Sequence, residues 1–228
     1  MNKILLGMAG IAALMMASGA NAAFKVGFDD AFNGTGWDKV VEDQLVGDTD
    51  FFGEVGVIDA AYGREGALVS TALGSSKPKE IGAPQVLHLD ATMATSGGSV
   101  ETVTIALTDT GFEDYGSFYL DVAVNTVNNN ADFFAEAWIG YDNAEFGKDK
   151  LIGTYSLIDG VVTSTLDSVL NLDADNLFSL TIFTTFTHDN VNGTSSTNTS
   201  VNIPEPSVLA LFGTGLLGLG LVRRRMKK

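Results

Sequence analysis

The chain has 228 residues, with 13 Lys and Arg against 28 Asp and Glu and no cysteine. A net charge of −15 excludes the basic surface that nucleic-acid binding requires and disfavours adhesion to anionic lipid. Without cysteine there is no disulfide, no thiolate metal site and no thiol nucleophile.

The first 22 residues read as a signal peptide. Lys3 supplies the positive n-region, Ile4 to Met16 is apolar, and Ala20-Asn21-Ala22 presents small residues for cleavage by signal peptidase after Ala22. Residues 23–191 read as one body. Val103, Ile105 and Leu107 alternate with Thr102, Thr104 and Thr108. Phe118, Leu120, Val122 and Val124 alternate with Tyr119, Asp121 and Asn125, and Phe178 to Phe186 has the same period of two. One apolar and one polar face marks half-buried antiparallel strands. Further strands are expected near 24–28, 54–59, 68–73, 85–92, 133–141, 154–158 and 199–203. Asn33-Gly34, Asn128-Asn129-Asn130, Asp159-Gly160 and Asn192-Gly193 are turn signals between them. Asp159-Gly160 in particular suits a tight hairpin. Only Trp37–Val46 has helical spacing, through Trp37, Val40, Val41 and Leu45. The expected fold is all-β, an antiparallel β-sandwich of jelly-roll-like type, flanked by the signal peptide and a C-terminal transmembrane helix.

Residues 192–203 are rich in Ser, Thr and Asn and read either as a polar spacer or as a last edge strand beginning near Thr197. Residues 204–228 then form a three-part tail of Pro204-Glu205-Pro206, an apolar run from Ser207 to Val222, and the basic end Arg223, Arg224, Arg225, Met226, Lys227 and Lys228. The two prolines hold an extended segment that a processing enzyme can grip. As a helix the 16-residue run spans roughly 24 Å, short of the ~30 Å hydrocarbon core. The basic residues can snorkel, and the positive-inside rule keeps them cytoplasmic.

This tail resembles the PEP-CTERM sorting tail of exported proteins of Gram-negative bacteria. The resemblance implies recognition by an exosortase, with processing near Pro204, Glu205 and Pro206. It also implies transient residence in the inner membrane and a final place on the outer envelope surface or in the extracellular matrix, often with exopolysaccharide as partner. Between Ala23 and Ile203, 7 basic and 27 acidic residues remain, a net charge of −20.

The chemistry of the body is less marked. Its two histidines are His88, with Asp90 on the same strand face, and His188 at a strand end, and no nucleophile motif accompanies either. Asp48 and Asp50, or Asp173 and Asp175, are the candidates for a bound Ca²⁺, and no other cofactor is expected. Phe134 and Trp138 flank Glu136 on one face of their strand, and with Trp37 they make a candidate sugar-stacking set. The expected function is a non-catalytic structural or exopolysaccharide-associated protein of the envelope or biofilm matrix. A carbohydrate-binding module and a secreted polysaccharide hydrolase are the alternatives.

Overall fold

The computed structural model describes residues 23–30, 36–50, 55–64, 68–76, 85–96, 100–112, 118–126, 131–158, 161–166, 177–189 and 192–203. The signal peptide, the sorting tail with its apolar segment, and Asp173 and Asp175 lie outside the described residues. The strands are β1 (Lys25–Asp29), β2 (Lys39–Glu42), β3 (Val57–Arg64), β4 (Leu68–Ser76), β5 (Gln85–Ser96), β6 (Val100–Phe112), β7 (Tyr119–Thr126), β8 (Ala131–Gly140), β9 (Lys150–Ile158), β10 (Val161–Leu166), β11 (Phe178–Asp189) and β12 (Asn192–Ile203). They form a seven-stranded sheet, β10-β9-β8-β11-β6-β1-β2, and a five-stranded sheet, β3-β4-β5-β12-β7. Both are antiparallel, and β5 to β6, β7 to β8 and β11 to β12 each pass from one sheet to the other. The result is the all-β sandwich that the alternating patterns require.

The core lies between the sheets, where strand alternation puts it. Val103, Ile105 and Leu107 of β6 and Leu180, Ile182 and Phe186 of β11 face inward and are fully buried. They meet Leu87, Leu89 and Met93 of β5 and Val201 of β12 from the facing sheet. Phe28, Phe112, Phe118, Phe133 and Phe186 are the largest buried rings, and burying each contributes about 1.5–3 kcal/mol. With no covalent cross-link, this apolar layer and its polar ties carry the stability. One tie joins the sheets inside the core, where Ser76 of β4 donates its hydroxyl to the buried carboxylate of Asp109 on β6.

β9 and β10 pair from Ile158↔Val161 onward, and Asp159-Gly160 between them lie outside the described residues. Two expectations are corrected. The segment with helical spacing, Trp37–Val46, contains no helix. β2 pairs with β1, and Val41 enters the core while Val40 points outward. Beyond β2 the chain turns at Gln44 and Gly47, both at positive φ, and leaves Leu45 and Val46 exposed. The backbone partners offered by the rim of β1 outweigh a local helical pattern whose apolar residues have nothing to bury against.

Residues 192–203 are neither spacer nor edge. All twelve pair with β5, and Ser195 to Asn202 pair on the other side with β7, so β12 is an interior strand. Its inward residues Ser195, Thr197 and Thr199 are buried hydroxyls, which need partners in a dry interior. Ser195 bonds His188, Thr197 donates to the Ala123 carbonyl, and Thr197 and Thr199 bond each other. A strand with little apolar surface is thereby accommodated beside the core.

Candidate functional site

The outer face of the seven-stranded sheet gathers all four residues of the sugar-stacking set. Strand alternation turns Phe133, Ala135, Ala137 and Ile139 of β8 into the core and leaves Phe134, Glu136 and Trp138 outside. Trp37 precedes β2 and lies on the outer face of β1, over Gly27. The glycine makes this close approach possible, because a Cβ there would stand 2.8 Å from the indole. Phe183, on the outer face of β11, stacks on Trp37 with ring centres 6.2 Å apart, and Phe146 covers the indole at 4.8 Å. The Lys148 ammonium sits 3.7 Å above the Phe183 ring and 5.6 Å from that of Trp138, and it pairs with Glu136. This is the geometry of a cation held by aromatic faces and a carboxylate.

The four residues are therefore not equivalent. Trp37 is packed between Phe146 and Phe183, and Glu136 is engaged by Lys148. Trp138 is half-buried, and its Nε1 is shielded with no hydrogen-bond partner among the described residues. Phe134, at 38% exposure, is the ring that faces solvent. The segment from Tyr141 to Asp149 shields part of this face. Gly111 donates to Asn143, Tyr141 to Asp149 and Phe146 to Thr108, which anchors the loop on the sheet. Lys25 pairs with Glu42 at 3.0 Å and Glu145 at 2.8 Å, and the bond to Glu145 chiefly raises its pKa. Phe146 and Lys148 give no periodic signal in a loop. Phe183 does give one, as an aromatic ring among Ser179, Thr181 and Thr185 on the otherwise polar face of its strand.

The remaining candidates occupy other places. His88 Nε2 lies 3.1 Å from Asp90 Oδ2 on the outer face of the five-stranded sheet, as same-face neighbours two apart should. His188 is buried. Its Nδ1 meets Thr95 and its Nε2 meets Ser195, each at 2.8 Å, and burial lowers its pKa below 6.5. Both ring nitrogens are committed, and Ser195 is itself buried. Asp48 accepts from the backbone N–H groups of Gln44, Asp50 and Asp59, so its carboxylate organises the turn beyond β2. Asp43 accepts from Gly56 N–H, and burial raises its pKa. No group of three or more His, Asp or Glu residues suited to a metal ion occurs among the described residues.

A charged network closes one end of the sandwich. Arg64 of β3 reaches Asp30, which follows β1, at 3.2 Å, and also Glu101 of β6. The Tyr62 hydroxyl donates to Asp30 at 2.9 Å. Burial, and then the neighbouring Asp30, push its pKa up to about 12. Asp30 and Glu101 are deeply buried, so the network reads as a cross-sheet brace.

Comparison with known proteins is informative at one end of the chain. Residues 202–225 match the family model described as the PEP-CTERM protein-sorting motif. No curated protein and no solved structure matches the chain. The motif implies an exported chain, recognised by an exosortase and sorted through the membrane to the Gram-negative cell surface. The first two matched residues, Asn202 and Ile203, are also the last two of β12.

Proposed function

Starting from a PEP-CTERM protein with a β-sandwich body, we propose a non-catalytic protein of the cell envelope or extracellular matrix that associates with exopolysaccharide. The contact surface is the outer face of the seven-stranded sheet around Phe134, Glu136 and Trp138. The observation that carries this reading is the exposed Phe134 ring on the same strand face as the half-buried Trp138, a face already built from aromatic rings. Aromatic faces stack on the C–H faces of sugar rings and lose little conformational entropy in doing so. The surrounding acidity keeps the body soluble after release from the membrane. The test is a glycan array probed with the full chain and with Phe134→Ala and Trp138→Ala. Retention of a matrix polysaccharide by the wild type, weakened in both variants, is the expected result. A wild type that retains no glycan refutes the reading.

A further inference from the structure

The outer face of the five-stranded sheet carries a groove of about 330 Å³ across β5, β12 and β7. Register sets out its lining in rows. Thr92, Ser196 and Asn125 lie side by side across the three strands, and Asp90, Asn198 and Ala123 form the next row. Neighbouring strands are ~4.8 Å apart and successive same-face residues roughly 7 Å apart. Ala123 contributes only a methyl group, which opens the groove between its longer neighbours. Asn198 Nδ2 donates to Asp90 Oδ1 at 2.8 Å, and His88 lies against the other Asp90 oxygen.

These bonds fix the heads of Asp90 and Asn198 and leave capacity unspent. Each carboxylate oxygen of Asp90 keeps a second acceptor site, and Asn198 Oδ1 has no partner among the described residues. The side chains of Thr92, Ser196 and Asn125 make no hydrogen bond among the described residues either. The groove thus combines a pre-aimed carboxylate and amide, two hydroxyls, a second amide and a small apolar floor. Vicinal hydroxyls on a sugar ring both donate and accept, and the Ala123 methyl can meet the ring C–H groups. The carboxylates of Asp90 and of exposed Asp121 repel an anionic ligand.

We propose that this groove is a binding site for a neutral glycan, separate from the Phe134 face and independent of it. The test is an amide NMR titration of the full chain in a sugar-free zwitterionic detergent. The ligands are neutral gluco-, xylo-, manno- and galacto-oligosaccharides, with an oligogalacturonate for comparison. At least one neutral oligosaccharide is expected to shift the signals of Asn125, Ser196 and Asn198. Asn198→Ala is expected to weaken that binding about tenfold or more, the scale of one hydrogen bond in a charge-assisted pair. Asn125→Ala, at the exposed edge strand, serves as the second variant, and Phe134→Ala should leave the groove titration unchanged. The proposal fails if no neutral oligosaccharide shifts these signals, if only the galacturonate does, or if both groove variants bind as the wild type. Loss of groove binding in Phe134→Ala would also overturn it, because the two faces would then be one site.

Discussion

Replacing Arg64 by Met tests whether the charged end of the sandwich is a brace. The Asp30 and Glu101 side chains are 1% and 6% exposed, whereas that of Arg64 is 27% exposed and faces both. Removing one member of a buried ionic set costs about 3–5 kcal/mol, because the remaining charges stay desolvated. Water reaches Arg64 in part, so the lower end applies, about 3 kcal/mol at pH 7. In a domain of this size that lowers the thermal midpoint by roughly 6–12 °C. Adding Asp30→Asn and Glu101→Gln to the variant should recover most of the midpoint. Thermal denaturation followed by circular dichroism at pH 7 measures both. A loss under about 1 kcal/mol with no recovery refutes the brace.

Two further outcomes follow from the same kind of accounting. His188 has a folded pKa below its unfolded value of 6.5, so its contribution is complete above that pH and is lost as pH falls below it. Urea titrations at pH 7.5 and 5 should show a steeper acid loss for the wild type than for His188→Gln, and equal slopes would contradict the burial argument. Gly27→Val places a side chain against the indole of Trp37, where even a Cβ meets ring atoms at 2.8 Å. Destabilisation of about 1–3 kcal/mol is expected, with a red-shifted tryptophan emission. An unshifted spectrum at full stability would mean that Trp37 does not lie on β1.

Which parts of the molecule could be read from the residues depended on how each strand hides its inner face. β6, β7 and β11 put Val, Leu, Ile and Phe inward, and their alternation is plain. β12 also alternates, but between buried hydroxyls and exposed Asn and Ser, so hydropathy is nearly flat along it. Its place in the sheet is marked by the bonds of Ser195 to His188 and of Thr197 to the Ala123 carbonyl, which are tertiary and leave no local trace. Trp37–Val46 fails for the opposite reason, since its spacing imitates a helix while its residues serve a sheet edge and a turn. The four residues of the candidate sugar-stacking set could be picked out by type alone. Their gathering on one face could not, because Trp37 and Trp138 are joined by way of β1, β11 and a loop far apart in sequence. The polar groove was invisible, because its rows exist only once β5, β12 and β7 are in register.

The interior position of β12 also orders events during export. Ile203 pairs with Gln85, and Pro204 follows at once. Three extended residues reach only about 10 Å, so the triplet cannot move far from a finished sheet. β5 and β7 are joined only through β12, which is the last segment to arrive before the apolar run. A chain delivered from its N-terminus therefore cannot complete the five-stranded sheet until Ile203, the residue before the sorting triplet, has been delivered. The sorting motif and the closing strand share Asn202 and Ile203, so completing the sheet and presenting the motif draw on the same residues.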